Sequence, residues 1–353
     1  PCGLFAALTL ARAGHKVTLC ERGKPVEERG RSIGALVKRG ILDGESNFCY
    51  GEGGAGTWSD GKLTTRIGRN SAQVRTVLQT LVRFGAPERI LYDGKPHLGT
   101  DNLVRLLKRF REELISLGTV IQWDSRVEGL LMENDGAADG EDGCRRVVGV
   151  RLSDGEELRT DRVVLAAGHS ARELYSELIS CGATLTPKDF AVGFRIEHPQ
   201  SVINEAQYGR ELSEEHCHKG GRGPLPPASY RLATTVKSGG GGEEGHGQEE
   251  EDGRWRKEEA GGNGDRGVYS FCMCPGGQIV PTSLRPDHLC VNGMSYSNRG
   301  SRWANSAVVV SVGASYGDYP GLQQDDTSTG GGGAAGDGDG DGDDAAAQPE
   351  LAG

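Results

Sequence analysis

The opening segment PCGLFAALTLARAGHKVTLCERG leaves few folds open to this chain. Leu4, Ala7, Leu8 and Ala11 recur at the spacing of one helix face. Gly14 stands where such a helix would stop. Lys16 to Cys20 reads as a short strand rich in β-forming residues, and Glu21 closes it. Helix, glycine, strand and acid in this order make the second half of a dinucleotide-binding unit, which implies an α/β fold. Such a unit turns the free N–H groups and positive dipole end of its helix toward a pyrophosphate. Gly3 takes the place of the third glycine of G-x-G-x-x-G, and Glu21 that of the acid that binds a ribose hydroxyl. The first strand and first two glycines are missing, so the chain reads as a fragment entered inside the motif. An ordinary buried helix and strand is the competing reading.

Charge is spread unevenly over the 353 residues, whose net formal charge is -10. Residues 239–266 hold nine acids against four bases, and residues 322–353 hold eight acids and no lysine or arginine. Both segments are glycine-rich and poor in apolar side chains, so both are expected to be disordered. The rest of the chain is close to neutral, which gives no sign of a nucleic-acid surface. No apolar run approaches the length of a membrane span. The length allows two domains. Nine cysteines at uneven spacings argue against a complete disulfide framework and for a reducing intracellular compartment, cytoplasm or plastid.

Residues 23–70 read as loop-rich. They hold the stretch GEGGAGTWSDGKL (51–63), which is either a loose linker or backbone that lies against a flat or anionic group. Residues 71–92 read as a helix with Val74, Val77, Leu78, Leu81 and Val82 on one face. A second helix starts near Thr100 or Asp101, either a fair N-cap, carries Leu103, Leu106, Leu107, Phe110 and Leu114, and ends at Gly118. Three or four strands follow, with turns at Asp135–Gly143 and Ser153–Gly155 and a last apolar strand ending RVVLAAG. A short helix over 172–181 and a strand over 190–199 come next. Strands joined by glycine turns then cover GVYSFCMCPGGQIV and HLCVNGMSYS.

Metal-binding patterns do not hold up. DGDGDGDD from Asp337 is loop-like, but Gln348 stands where calcium needs a bidentate glutamate. The His216–His218 pair has no partner pair at ligand spacing. Cys272 and Cys274 are spaced C-x-C, not C-x-x-C; on a strand they share a face, and a structural role is the simpler reading.

The order CERG, GEGGAGTWSDGKLTTRI, KPHLGTD, VVLAAGHSAR, YRLATTVK, GVYSFCMCPGGQIVP and VNGMSYSNRGSRWANSAVVV resembles a family of FAD-dependent dehydrogenases. Its members are described as FAD-dependent proteins or NAD(P)/FAD-dependent oxidoreductases. The likeness covers most of residues 1–310 outside the acidic insertion. It implies a Rossmann-like FAD-binding domain, here without its first strand, with an inserted α+β substrate domain. Residues 1–70 would carry the flavin loop and 71–185 complete the FAD-binding domain. Residues 186–310, interrupted by 239–266, would form a β-rich substrate domain before the acidic tail 322–353.

By the same resemblance, Gly53, Gly54, Gly56 and Thr57 contact FAD through backbone, and Lys62 faces the flavin or a bound anion. Arg22 and Arg31 reach the pyrophosphate, Val127 faces adenine and Gly168 marks a second FAD-contacting strand end. The implied activity is a flavin-dependent oxidoreductase acting on a small molecule, with NAD(P)H as a possible electron donor. No catalytic acid or base is assigned; His97, His169 and Lys62 are the candidates to test. A non-catalytic FAD sensor and an RNA-modifying flavoprotein are the alternatives. The chain departs from the family in its missing first glycines, which would cripple pyrophosphate binding. It departs also in STGGGGAAGDGDGDGDD, which stands where a last FAD-contacting segment is expected.

Overall fold

The structure is a computed structural model, and it describes residues 1–65, 67, 71–134, 145–217, 223–236 and 266–313. The segments expected to be disordered, 239–266 and 322–353, lie outside the described residues apart from Arg266. So do Asp337–Gln348, His218 and the turn at 135–143.

Helix α1 (Cys2–Arg12) buries Ala7, Leu8 and Ala11 and ends before Gly14, whose φ is 85°. Strand β1 (Thr18–Cys20) follows. The stretch read as loop-rich then holds a helix of 14 residues, α2 (Val26–Arg39). Its end signals are ordinary: Pro25 precedes it, Glu27 and Glu28 fill its first turn, and Gly40 leaves it in the left-handed region. Its buried side is Val26, Arg29 and Ile33, and the charge in that stripe hides the helix from an apolar count.

Helix α3 (Ala72–Arg83) is capped by Ser71, which accepts the Val74 N–H at 3.3 Å. It is shorter than the expected 71–92, because Gly85, with φ 99°, and Pro87 interrupt it before a 3-10 turn over Glu88–Leu91. Leu78 and Leu81 are buried, whereas Val77 is exposed. Helix α4 (Thr100–Ser116) starts after Gly99, and neither Thr100 nor Asp101 caps it. The Thr100 hydroxyl donates to the Ser59 carbonyl at 2.8 Å instead, and Asp101 accepts the Ser297 N–H and hydroxyl. The α4 stripe of Leu106, Leu107, Phe110 and Leu114 is buried. Leu106, Phe110 and Leu114 pack with α1, Leu78, Leu81, Phe84 and Ile90 into the main core, where Phe110 meets Phe5 edge-on at 5.3 Å between ring centres.

Strand β2 (Val120–Gln122) lies parallel to β1, with Leu19 opposite Ile121. Strands β3 (Val127–Asn134), β4 (Arg145–Leu152) and β5 (Glu157–Arg159) form an antiparallel sheet, against which α5 (Arg172–Ser180) packs. The expected strand RVVLAAG does not form: residues 162–168 are irregular, with Val164 and Leu165 exposed. A strand exists only beside a hydrogen-bonded partner, and among the described residues none flanks this run.

The next long strand is β6 (Phe190–Pro199), followed by helices α6 (Gln200–Tyr208) and α7 (Arg210–His216). Strands β7 (Ala233–Val236), β8 (Arg266–Cys274), β9 (Gln278–Pro281), β10 (Val291–Met294) and β11 (Trp303–Val312) complete the described chain. The order β6-β11-β8-β7 makes one antiparallel sheet, and β9 and β10 pair as a hairpin. The β8–β11 ladder shifts register between Asn305 and Ala307. The architecture is mixed α/β, with helices and several sheets.

Candidate functional site

Several of the sequence-selected residues meet at the start of α1. A Cβ on Gly3 would lie 3.5 Å from the Ala166 Cβ and 3.6 Å from Leu19 Cδ1, so glycine lets α1 sit close on β1 and on the run leading to Gly168. The N–H groups of Cys2, Gly3 and Leu4 precede the first intrahelical bond, Phe5 N–H to the Pro1 carbonyl. Glu21, just past β1, accepts the N–H groups of Gly23 and Gly51 at 2.9 Å each through one carboxylate oxygen. The acid therefore ties the glycine loop to the strand end. The Tyr50 hydroxyl, pushed up to about 12 by burial, donates to the Ser170 carbonyl at 2.6 Å and so ties the same loop to the Gly168 turn.

Arg22 stacks over Tyr50 at 3.7 Å and pairs with Glu45 and Glu173. Arg126 shares Glu45 with it at 2.6 Å. Val127 opens β3 between Arg126 and Glu128, and a shallow cleft of about 450 Å3 lined by Arg126, Glu128, Arg151 and Glu173 opens there. Gly168, with φ 76°, has no heavy atom within 4 Å of its Cβ position. His169 beside it is exposed, near the Ser170 hydroxyl. Arg31 lies on the exposed side of α2, and no described contact brings it to this cluster.

The glycine loop is not uniform. Arg29 is fully buried and donates to the carbonyls of Asn47, Phe48, Gly51 and Glu52 at 2.6–3.3 Å. Burial lowers its guanidinium to about 10, which leaves it charged at neutral pH. Its side chain crosses Gly51 where a Cβ would stand. At Gly53 that position is filled by Thr57 Oγ1 and Leu107 Cδ1. Thr57 is buried and donates to the Glu52 carbonyl at 3.2 Å. Gly54 faces Pro1 at 3.4 Å, and Gly56 is open. Glu52 is buried, and desolvation raises its carboxyl to about 6. One of its oxygens accepts the Val26 N–H at the start of α2 and a bond from Arg111, and the other has no partner among the described residues.

Lys62 and His97 belong to a second cluster, paired with each other in a single antiparallel bridge. Asp60 is 1% exposed and pairs with Lys62 and Arg299, each at 2.7 Å, and the Ser295 hydroxyl donates to it. Burial opposes the charge on Asp60, but Lys62 and Arg299 outweigh it and hold the carboxyl well below its ordinary value. His97 is pushed below its usual value by burial and then by Arg299, so its ring is neutral at neutral pH. The Lys62 ammonium also touches the Cys274 and Cys272 sulfurs at 3.8 and 3.9 Å. Sequence reasoning singled out Lys62 and His97 but not Asp60, Arg299, Arg29 or Glu52. Asp60 stands inside the quoted glycine stretch, two residues from Lys62, and that spacing was its one local signal.

An FAD group fits the first cluster on three observations. Free N–H groups head α1, Gly168 leaves backbone uncovered at the turn beside it, and Gly56 does so in the glycine loop. Comparison with known proteins agrees in class. Residues 189–242 and 254–327 match the model of a family described as FAD-dependent protein, C-terminal domain-like, which supports an FAD-dependent protein. An uncharacterized protein of Clostridium beijerinckii is 39% identical over 312 residues, which is 88% of this chain and 50% of the relative. The chain thus spans about half the length of the curated relative it matches. Among the described residues no helix is long and apolar enough to cross a membrane.

Proposed function

We propose that this chain is part of an FAD-dependent oxidoreductase acting on a small molecule, with NAD(P)H as electron donor. Residues 1–185 form the FAD-binding part, of Rossmann type, and residues 186–310 face the substrate. The observation that carries the reading is the meeting of the α1 N-terminus, Glu21, the glycine loop and the Gly168 turn at one end of the parallel β1–β2 pair. A helix start in that position favours a diphosphate. Glu21 keeps one carboxylate oxygen for a ribose hydroxyl, and Val127 and the cleft beside it suit the adenine. Gly56 and Gly168 let backbone approach a planar ring, and Gly54 helps set the path of the loop. Gly53 and Thr57 act from behind by fixing that path through Leu107 and Glu52.

A bound flavin would supply the two-electron chemistry. The chain's own groups bind, orient and set charge: Asp60 holds the Lys62 ammonium at 2.7 Å, and His97, its partner in the single bridge, offers a neutral ring. The test is the visible flavin absorbance of the purified full-length protein, before and after FAD titration, followed by anaerobic NADH or NADPH. Retained flavin that bleaches on addition of nicotinamide is expected. Failure to bind FAD at any ratio would refute the reading.

A further inference from the structure

The second cluster has a chemistry that electron transfer through a flavin does not require. We propose that Cys272 and Cys274 are a redox-active dithiol that exchanges with a small external disulfide, Cys272 attacking and Cys274 resolving. Both sulfurs touch one ammonium, that of Lys62. Cys274 is fully buried, its sulfur 3.3 Å from the Cys272 carbonyl, whereas Cys272 is partly exposed. The accessible sulfur is therefore the one to meet a substrate. Cys272 holds φ 48°, a left-handed backbone that a non-glycine residue seldom adopts, at the bulge in the β8–β11 ladder. Strain of that kind is not needed to bury two apolar thiols.

Charge points the same way. The groups facing the thiols are Lys62 and Asp60 from the loop, Arg195 from β6, and each other. Buried Asp60 is shared by Lys62 and Arg299, so this trio has one excess positive charge. Arg195 adds another cation, held on the Asn292 and Asn305 side chains and the Cys272 carbonyl. One thiolate answers that excess. The hydrogen bond from Cys274 lowers Cys272 first, and Lys62 and Arg195 lower it further against the cost of burial. The same hydrogen bond and burial raise Cys274. The pair thus shares one proton, carried on the buried sulfur.

In the exchange, the Cys272 thiolate bonds to one sulfur of the external disulfide, whose S–S bond breaks to release a first thiolate. Cys274 passes its proton to that leaving group and attacks the Cys272 sulfur. The Cys272–Cys274 bond forms and the second thiolate leaves. Two electrons have moved from the dithiol to the external disulfide, which departs as one thiol and one thiolate.

The test uses the reduced, desalted chain and an aromatic disulfide that releases a coloured thiol. Peptide mass should show the fragment with both cysteines lighter by two hydrogens in the wild type. In Cys274→Ser the mixed disulfide should stay on Cys272. Alkylation by iodoacetamide at about pH 6.5 gives an independent reading on the unaltered protein. At that pH the thiolate gained by a lowered thiol outweighs the nucleophilicity it loses, so Cys272 should react several-fold faster than the exposed Cys2 and Cys290. Lys62→Met should reduce that advantage, and Lys62→Arg should keep it. A mixed disulfide that persists on the wild type, or Cys272 alkylation no faster than that of Cys2 and Cys290, would overturn the proposal. Neither readout needs bound FAD, so its failure is distinct from failure of the flavin reading.

Discussion

Gly51→Ala tests the claim that Arg29, rather than loop mobility, demands glycine at this position. Gly51 has φ 113°, and an alanine Cβ would stand 2.4 Å from Arg29 Cδ and 2.9 Å from its Nε. Arg29 has nowhere to retreat, since it is fully buried and held on four carbonyls. Forcing an L-residue into this backbone region costs about 1–3 kcal/mol. Pulling the guanidinium off one buried carbonyl costs about another 1.5–3 kcal/mol. The expected loss is thus about 3–6 kcal/mol. Gly56→Ala is the control: its φ is not positive and no heavy atom lies within 4 Å of its Cβ position, so its stability should stay within about 0.5 kcal/mol. Guanidinium unfolding followed by circular dichroism reads both. Combining Gly51→Ala with Arg29→Ala should cost less than the sum of the two, because the second change removes the obstacle. Equal midpoints for Gly51→Ala and Gly56→Ala, or simple additivity in the double variant, would refute the reasoning.

Three further outcomes are expected. Asp60→Asn should cost about 3–5 kcal/mol at neutral pH by stranding Lys62 and Arg299. Because the folded carboxyl lies below its ordinary value, its contribution is present above about pH 4 and fades on acidification, so the wild-type advantage over Asp60→Asn should shrink toward pH 2; an advantage constant with pH counts against it. Glu52 has the opposite sign: its folded carboxyl is raised to about 6, so ionising it costs the fold about 2 kcal/mol above that pH. Wild type should therefore gain on Glu52→Gln as the pH falls from about 7.5 to 5, and a flat difference in denaturant midpoint would exclude this. Glu21→Ala in the full-length protein should weaken FAD retention by about 1.5–3 kcal/mol, read as flavin absorbance per mole of protein, and unchanged flavin content would remove Glu21 from the site.

Local pattern alone determined a good part of this molecule. The α1 face and the α4 stripe from Leu106 to Leu114 are written in spacing, because burial on one side of a helix repeats with its period, whereas the β1 strand with Glu21 behind it and the strand over Phe190–Pro199 are written in β-forming residues and the residues that close them. Spacing failed where the buried side was not apolar or where pairing was remote. Helix α2 was hidden because Arg29 occupies its inner face, and a charge is buried there only because four loop carbonyls come to meet it. The run at 162–168 has the residues of a strand but no partner beside it, and a ladder is a property of two segments. The same limit applies to the sites. Composition marked the glycine loop, but which glycine is fixed by Arg29, which by Leu107 and which is left open follows from side chains that arrive from other helices. Cys272 and Cys274 looked structural as two thiols on a strand. Tertiary packing brought Lys62 onto both sulfurs and Arg299 onto Asp60 across more than two hundred residues of chain, and reactivity depends on that charge.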